Sequence, residues 1–213
     1  MEQPQLFGPV VEHPDQKAPK PAKALNNAVY INQTSGDVEY YTPAEIVETA
    51  RRVMGTIDLD PASSALANVT VQATHYFTQA DDGLRREWYG NVWMNHPFSR
   101  EENPKWINKL CAEYSTGRVR QACCITFAAT SEAWFQPLFA YPMCFLAPRT
   151  NYYLPDGSKK TGVTKGSVVT YLGVNVAGFV REFSGLGNVM LPAHLLGERA
   201  SNGWCRTAEQ QLT

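Results

Sequence analysis

The chain has 213 residues, of which 44% are hydrophobic and 11% aromatic, and its formal net charge is −1. This length suits one α/β domain with a full hydrophobic core better than two small domains. A charge so close to zero gives no global signal for nucleic acid, so any surface that binds nucleic acid must be a local patch.

The cysteines and histidines indicate neither disulfide bonds nor a metal site. The five cysteines are odd in number, none forms a Cys-x-x-Cys pair, and Cys123 and Cys124 adjoin within an apolar run. This pattern is typical of reduced core thiols in a cytoplasmic protein. The four histidines lack the spacing of metal ligands, so no metal is expected. No signal peptide or apolar segment of membrane length is evident, so no membrane partner is expected.

Composition predicts a folded domain between two polar ends. Residues 1–28 contain five prolines and three lysines among polar residues, which predicts a mobile tail. That tail is either a solvated leader or a contact for DNA or a partner. Residues 29–195 are predicted to form one domain, and residues 196–213 a polar C-terminal tail. The oligomeric state is left open between a monomer and a weak dimer.

The first clear element is a helix within residues 40–55. Thr42 is predicted as its N-cap, with Pro43 at the first helical position and Glu45 completing a capping box. Gly55 is expected to end the helix. One apolar face follows from the helical spacing of Ile46, Val47, Ala50, Val53 and Met54.

A short strand is predicted next, over residues 57–60, and it carries Asp58 and Asp60. Pro61 opens the following turn. Carboxylates at the carboxyl end of a strand can receive an ammonium group or the hydroxyls of a ribose. The small residues 62–64 replace the usual glycine-rich turn and still permit a ligand to approach the backbone, though less freely than glycine. An ordinary Asp-Pro turn is the alternative.

The motif Asn95-His96-Pro97-Phe98 follows an apolar strand that begins near residue 91. Pro97 fixes its own φ and disfavours helical geometry at His96, so the turn is stiff. It presents Asn95 and Phe98 at the carboxyl end of a strand, where open α/β sheets bind their ligands. A strand-terminating turn with a buried Phe98 is the alternative.

The remaining elements continue the α/β pattern and then become mostly β. A helix is predicted from Asn103 to Gly117, and a strand buried on both faces over residues 121–127. Ser131 is expected to cap a third helix whose core residues are Trp134, Phe135, Leu138 and Phe139. Further strands are predicted over residues 143–146 and 167–172.

The segment 149–166 joins those last two strands and is rich in cations, aromatic rings and amides. Such a loop suits contact with the nucleic-acid backbone and with bases, and a plain exposed hairpin loop is the alternative. Arg100 and Lys105 follow the Asn95 loop and are predicted to contact phosphates, with solvated charge as the alternative. The candidates within the segment are Arg149, Asn151, Tyr152, Lys159, Lys160 and Lys165.

In this order the motifs resemble those of the phage and prophage Dam-type DNA N6-adenine methyltransferases. They are Tyr41-Thr42-Pro43, the stretch 58–63, Asp81-Asp82-Gly83, the Asn-x-Pro-Phe loop and the strand after residue 166. The similarity covers roughly residues 38–190. The family implies a Rossmann-like sheet with helices on both faces, S-adenosylmethionine as methyl donor, and adenine in DNA as acceptor.

The resemblance also implies roles for individual residues. Asn95 and the backbone carbonyl of His96 would bind the target amine, within a catalytic loop that Pro97 and Phe98 complete, and Phe98 would stack on a flipped base. Asp82, ahead of Asp81, would receive the adenine amino group of the cofactor. The implied cofactor-binding residues are Tyr41, Thr42, Pro43, Asp58, Asp60, Pro61 and Asp82.

His96 departs from the family pattern, which normally has proline at this position. A backbone carbonyl is available from any residue, so the loss is in loop stiffness, and a titratable group is added beside the base. Two alternatives remain open. One is the same chemistry on cytosine N4, on RNA adenine or on a protein glutamine, and the other is a DNA-binding protein that has lost catalysis.

Overall fold

A computed structural model describes residues 40–154, 157–160 and 163–195 of the chain. The tails predicted at 1–28 and 196–213 lie outside these residues. The helices are α1 (Ala44–Met54), α2 (Ala65–Val71), α3 (Glu102–Ser115) and α4 (Val176–Phe183), with 3-10 helices at Gly83–Arg85, Ala133–Ala140 and Ala193–Leu195. The strands are β1 (Leu59–Asp60), β2 (His75–Tyr76), β3 (Gly90–Met94), β4 (Val119–Phe127), β5 (Met143–Leu146), β6 (Ser167–Leu172) and β7 (Gly187–Met190).

The strands of the described residues form one mixed sheet of seven in the order β2-β1-β3-β4-β6-β5-β7. Pairing is parallel between β1 and β2, between β1 and β3 and between β3 and β4. It is antiparallel between β4 and β6, between β6 and β5 and between β5 and β7. The ends of β1, β3, β4 and β5 and the starts of β6 and β7 therefore lie along one edge, here called the carboxyl edge. The predicted α/β fold is confirmed.

Alternating side chains of the central strands face two separate hydrophobic cores. Trp93 and Ile125 pack with α1 and α4 on one face, while Val92 and Met94 pack with α3 on the other. This alternation is the period of two expected for a strand covered on both faces. The prediction of helices on both faces of the sheet is thus confirmed.

Helix α1 buries the predicted apolar face and ends as expected at Gly55, whose φ of 84° suits glycine. The predicted N-cap is wrong. Pro43 occupies the N-cap position with extended backbone angles and without a side-chain cap, so the helix begins one residue later than the sequence indicated. Thr42 is buried instead, and its hydroxyl has no hydrogen-bond partner among the described residues.

Two other helix predictions need correction. Helix α3 begins at Glu102, one residue before the predicted start. The predicted third helix is a 3-10 helix with Glu132, not Ser131, at its N-cap position and Pro137 inside. Proline lacks the N–H that an α-helix would use, and the tighter turn spaces the two buried side chains three residues apart. Phe135 and Leu138 are therefore buried, whereas Trp134 is only partly buried and Phe139 is 42% exposed.

No helix among the described residues has both the length and the apolar character needed to cross a membrane.

Gly83 brings the turn after β2 against the end of β1. A Cβ at this position would lie 2.0 Å from the carbonyl oxygen of Pro61, so only glycine permits the approach. The indole N–H of the buried Trp88 donates to the carbonyl of Gly83 at 2.8 Å and fixes the turn from the core side. Asp82 is thereby held close to the turn that follows Asp60.

We predict that Gly83→Ala destabilises the fold, because the added Cβ overlaps the Pro61 carbonyl. Separating the two backbone segments costs about 1–3 kcal/mol at an overpacked site. Urea denaturation should show this decrease in the free energy of unfolding. Gly166→Ala is the matched control, since its Cβ meets no described atom within 4 Å, and it should change stability by less than about 0.5 kcal/mol. Equal losses in the two variants would contradict this account.

Candidate active site

Asn95 lies at the carboxyl edge, directly after β3, with its side chain held by a backbone group. Its amide Nδ2 donates to the carbonyl oxygen of Tyr40 at 2.8 Å. Because the amide group is planar, this bond also fixes the direction of Oδ1, which lies on the opposite branch of the group. The side-chain acceptor of Asn95 is therefore oriented before any ligand binds.

The segment before α1 also pairs with the predicted target-recognition segment. The N–H of Tyr41 donates to the carbonyl of Tyr153 at 2.8 Å, and the N–H of Tyr153 donates back at 2.9 Å. Tyr153 in turn forms a bridge with Lys159. Since β5 ends and β6 starts at the carboxyl edge, the segment between them leaves and rejoins the sheet at the same edge as Asn95.

Phe98 is partly buried and belongs to an aromatic group at this edge. Its ring centroid lies 4.7 Å from that of Phe127, 5.3 Å from that of His96 and 6.4 Å from that of Tyr152. The partial exposure of Phe98 argues against a fully buried ring at the end of a plain turn. The ring is supported by its neighbours and still reaches the surface, which is what stacking on a base needs.

His96 is buried. The sequence had predicted that it would add a titratable group beside the base, and this expectation needs correction. The residue is 2% exposed, its Nε2 lies 2.9 Å from Oδ1 of Asn103, and its ring is tilted against Trp106 at 6.2 Å. Burial lowers the pKa of His96 to about 4, although the bond to Asn103 and the charge of Glu102 act in the opposite direction. The imidazole is therefore neutral at pH 7, and it faces the core.

Asp60 is the last residue of β1, and its carboxylate lies at the carboxyl edge. It is 2% exposed, and its Oδ1 accepts a hydrogen bond from the N–H of Ala62 at 3.2 Å. Burial raises the pKa of Asp60 to about 7, against the lowering effect of the hydrogen bonds to the turn. A cation bound beside this carboxylate would stabilise its charged form.

Tyr41 and Asp82 both lie near the turn that begins at Asp60. The hydroxyl of Tyr41 is 3.4 Å from Oγ of Ser64, the N-cap of α2. Asp82 has a positive φ of 52° and forms an ion pair with the exposed Arg85 at 3.0 Å. Asp81 is already used within the turn, where its carboxylate accepts from the N–H and the hydroxyl of Thr78. Both carboxylates therefore have a partner within the turn, and the preference for Asp82 over Asp81 stays a prediction.

The structure does not bring Asp58 together with the other predicted cofactor-binding residues, and this corrects its placement at the carboxyl end of β1. Its carboxylate accepts from the N–H of Asn91 at 2.9 Å and from Arg120 at 2.8 Å, and it lines a cavity of about 550 Å³ with Arg118. Asn91 precedes Asn95 by four residues, so the two ends of β3 are about 13 Å apart. Because β1 starts only at Leu59, Asp58 lies before the strand, at the opposite edge of the sheet.

The prediction that Tyr152 contacts DNA also needs correction. It is 2% exposed, and its hydroxyl lies 2.8 Å from Oγ of Ser167. Burial raises the pKa of Tyr152 to about 12. The residue therefore supports Phe98 from the core and does not present itself to DNA.

The other predicted DNA contacts are accessible to differing degrees. Lys105 is engaged with Glu102 at 2.6 Å, and the ammonium of Lys165 lies 5.6 Å from the centroid of the Phe127 ring. Asn151 and Lys160 are partly buried. The exposed candidates are Arg100, Lys105, Arg149, Lys159 and Lys165.

Sequence reasoning missed three residues of this site. Phe127 ends β4 at the carboxyl edge, so the rule that pointed to Asn95 applies to it equally. Asn103 was assigned only as the start of a helix. Tyr40 contributes through its backbone carbonyl, which leaves no signal in residue type.

The seven-stranded mixed sheet, with the Asn-x-Pro-Phe loop at its carboxyl edge, is an α/β domain with the fold of S-adenosylmethionine-dependent methyltransferases. The family model for DNA N-6-adenine-methyltransferase (Dam) matches residues 31–169, which is more than half of the chain. The chain belongs to this family. A comparison with curated proteins found no match. In the described part of the chain, no three His, Cys, Asp or Glu side chains are grouped as metal ligands would be.

We predict that Asp60→Asn changes how stability depends on pH. The folded pKa of Asp60, about 7, exceeds the ordinary aspartate value of 3.8, so the native state binds the extra proton and wild-type stability falls as pH rises between these values. The variant should gain relative to wild type by up to about 1.4 kcal/mol per pH unit across this window. Urea denaturation at a series of pH values tests this.

Asp58→Asn is the matched control for that experiment, because its pKa shift has the opposite sign. Partial burial would raise the pKa of Asp58, but hydrogen bonds from Asn91, Thr56 and Arg120 outweigh it and lower the pKa. This variant should lose stability relative to wild type as pH rises through the acid range below about 4. A flat difference between Asp60→Asn and wild type from pH 4 to 7 would refute the assignment of Asp60.

Proposed function

We propose that this protein transfers a methyl group from S-adenosylmethionine to the N6 amino group of adenine in DNA. Membership of the Dam family supports the reaction class. The observation that carries the proposal is the orientation of Asn95 by the Tyr40 carbonyl, beside the partly exposed ring of Phe98 at the carboxyl edge.

Asn95 and His96 would act on the target amine. An exocyclic amine is a poor nucleophile because its lone pair is delocalised into the ring of the base. Oδ1 of Asn95 and the backbone carbonyl of His96 accept its two hydrogens and favour a tetrahedral nitrogen whose lone pair faces the methyl donor. This is positioning combined with preorganised electrostatic stabilisation, and both depend on fixed acceptors.

Phe98 would hold the base after it leaves the duplex. Flipping a base costs a few kcal/mol, and stacking on an aromatic ring returns about 1–3 kcal/mol. The rings of Phe127 and Tyr152 lie behind Phe98 and keep it in place. Transfer is then direct and in line, from the methyl donor to the base nitrogen.

The residues around Asp60 fit the implied cofactor. Asp60 is a buried carboxylate with a raised pKa, as expected of a site that receives the ammonium or hydroxyl groups of a ligand. The hydroxyl of Thr42 is buried without a partner among the described residues and can serve a polar ligand group. When bound, S-adenosylmethionine would supply a methyl group on a sulfonium, from which a neutral thioether is a good leaving group. Tyr41, Pro43, Pro61 and Asp82 complete the proposed site.

Exposed cations at the carboxyl edge would contact the phosphates. Arg149 follows β5, Lys165 precedes β6 beside Phe127, and Arg100 follows the catalytic loop. Contacts of this kind set the register of the protein on the duplex and leave sequence recognition to base contacts. Asn151 and Lys159 are candidates for the base contacts that recognise the sequence.

The decisive experiment measures methyl transfer from labelled S-adenosylmethionine to unmodified duplex DNA, followed by digestion and separation of the nucleosides. Label in N6-methyladenine supports the proposal. Label in N4-methylcytosine, in RNA or in protein keeps the loop chemistry and overturns the acceptor. No label from folded protein, together with a shift of DNA on a gel, identifies a DNA-binding protein without catalysis.

We predict that Asn95→Ala lowers methyl transfer at least about 100-fold, because the side-chain acceptor for the amine is lost. Affinity for S-adenosylmethionine, measured by titration calorimetry, should stay within a few-fold of wild type. Asn188→Ala, at an exposed position in β7, is the control and should retain full activity. Loss of cofactor affinity together with activity would show that Asn95 is structural.

We predict that Arg149→Gln weakens binding to duplex DNA regardless of sequence and reduces the slope of log K against log salt by about one phosphate contact. Fluorescence anisotropy at several salt concentrations measures both quantities. Arg120→Gln is the matched control, because Arg120 is exposed at the opposite edge of the sheet, beside Asp58. Unchanged salt dependence in Arg149→Gln would remove this residue from the DNA surface.

A further inference from the structure

We propose that Asn103 is a positioning residue for the catalytic loop: it locks the ring of His96 and thereby fixes the backbone carbonyl that accepts the target amine. This inference rests on the proposed function, since it assigns that carbonyl a role in the reaction. It adds a residue of α3 that does not itself touch the substrate.

The bond between His96 and Asn103 is the polar contact that orients the buried imidazole. Nε2 of His96 lies 2.9 Å from Oδ1 of Asn103. Since an amide oxygen can only accept, Nε2 carries the proton of the neutral ring. The other nitrogen, Nδ1, is buried and has no partner among the described residues. The remaining contacts of the ring are aromatic, with Phe98 at 5.3 Å and Trp106 at 6.2 Å.

Asn103 is itself held rigidly against the loop. Its N–H donates to the carbonyl of Ser99 at 3.1 Å, and the hydroxyl of Ser99 accepts from the N–H of Glu102 at 3.0 Å. One turn further along α3, Trp106 is buried and stacks on Trp88 at 5.9 Å. Residues 96–103 therefore form a closed ring that is anchored in the core through α3.

This closed ring performs the task that a proline would otherwise perform at position 96. A proline fixes φ covalently, whereas a histidine leaves that angle to its surroundings. Pro97 restrains His96 from the C-terminal side only. With the imidazole held between Asn103 and the aromatic rings, residue 96 has few orientations left, and its carbonyl keeps a fixed direction. A displacement of about 1 Å at a reacting group is enough to lower a rate about 100-fold.

The test is a double-mutant cycle on methyl transfer, with Asn103→Ala, His96→Pro and the double variant. Asn103→Ala should lower kcat about 10- to 100-fold with KM for S-adenosylmethionine within about threefold, because the loop and not the cofactor site is disturbed. In the His96→Pro background, where the restraint is covalent, the same substitution should change kcat by less than about threefold.

Two further variants separate positioning from general structural damage. Asn103→Asp keeps an acceptor oxygen for Nε2 and should retain kcat within about threefold of wild type. Asn108→Ala makes the same change as Asn103→Ala at an exposed position of α3 and should leave kcat unchanged. Equal losses from Asn103→Ala in both backgrounds, or a loss in Asn103→Asp as large as in Asn103→Ala, would overturn the proposal.

Hydrogen exchange gives a readout that does not depend on activity. The amides of residues 102 and 103, which donate to Ser99, should exchange faster in Asn103→Ala than in wild type, and this acceleration should be absent when His96→Pro is also present. Unchanged exchange in Asn103→Ala overturns the positioning role, whatever the kinetics show. Absence of methyl transfer by the wild-type protein would instead reject the proposed function, while the exchange result still decides whether Asn103 fixes the loop.

Discussion

The parallel pairing of β1, β3 and β4 is the constraint on which the site depends. Leu59 pairs with Val92, and Met94 pairs with Cys124, so the three strands end within a few residues of one another. Because residues that leave parallel strands meet at one edge, Asp60 and Asn95 lie at the same side of the sheet although 35 residues of chain separate them. No local feature of either turn would achieve this without the register of the strands.

The periodicity of apolar residues and the positions of strand ends were enough to predict part of the structure from the sequence. The buried face of α1, the strand over residues 121–127 and the turn at Asn95 followed from such patterns. The predictions from sequence failed where contacts between distant parts of the chain determine the position of a residue. Asp58 and Asp60 are equivalent by residue type, and only the starting point of β1 sends them to opposite edges of the sheet. Tyr152 carries a hydroxyl suited to either surface or core, and its bond to Ser167 places it inside.

His96 shows how the burial of one polar side chain changes its chemistry. An exposed histidine would titrate near neutral pH, but the loss of hydration keeps this one neutral. Its position next to Asn95 suggested a titratable group beside the base, whereas its contacts with Asn103 and Trp106 indicate a structural role. Sequence position alone could not separate these roles, because both place the same residue in the same loop.

The backbone pairing of Tyr41 with Tyr153 has a thermodynamic consequence. It joins the segment proposed to hold the cofactor to the segment proposed to contact DNA, so a ligand that shifts one of them changes the free energy of the other. Around a closed cycle of binding steps these changes must sum to zero. The factor by which cofactor alters affinity for DNA therefore equals the factor by which DNA alters affinity for cofactor, whichever binds first.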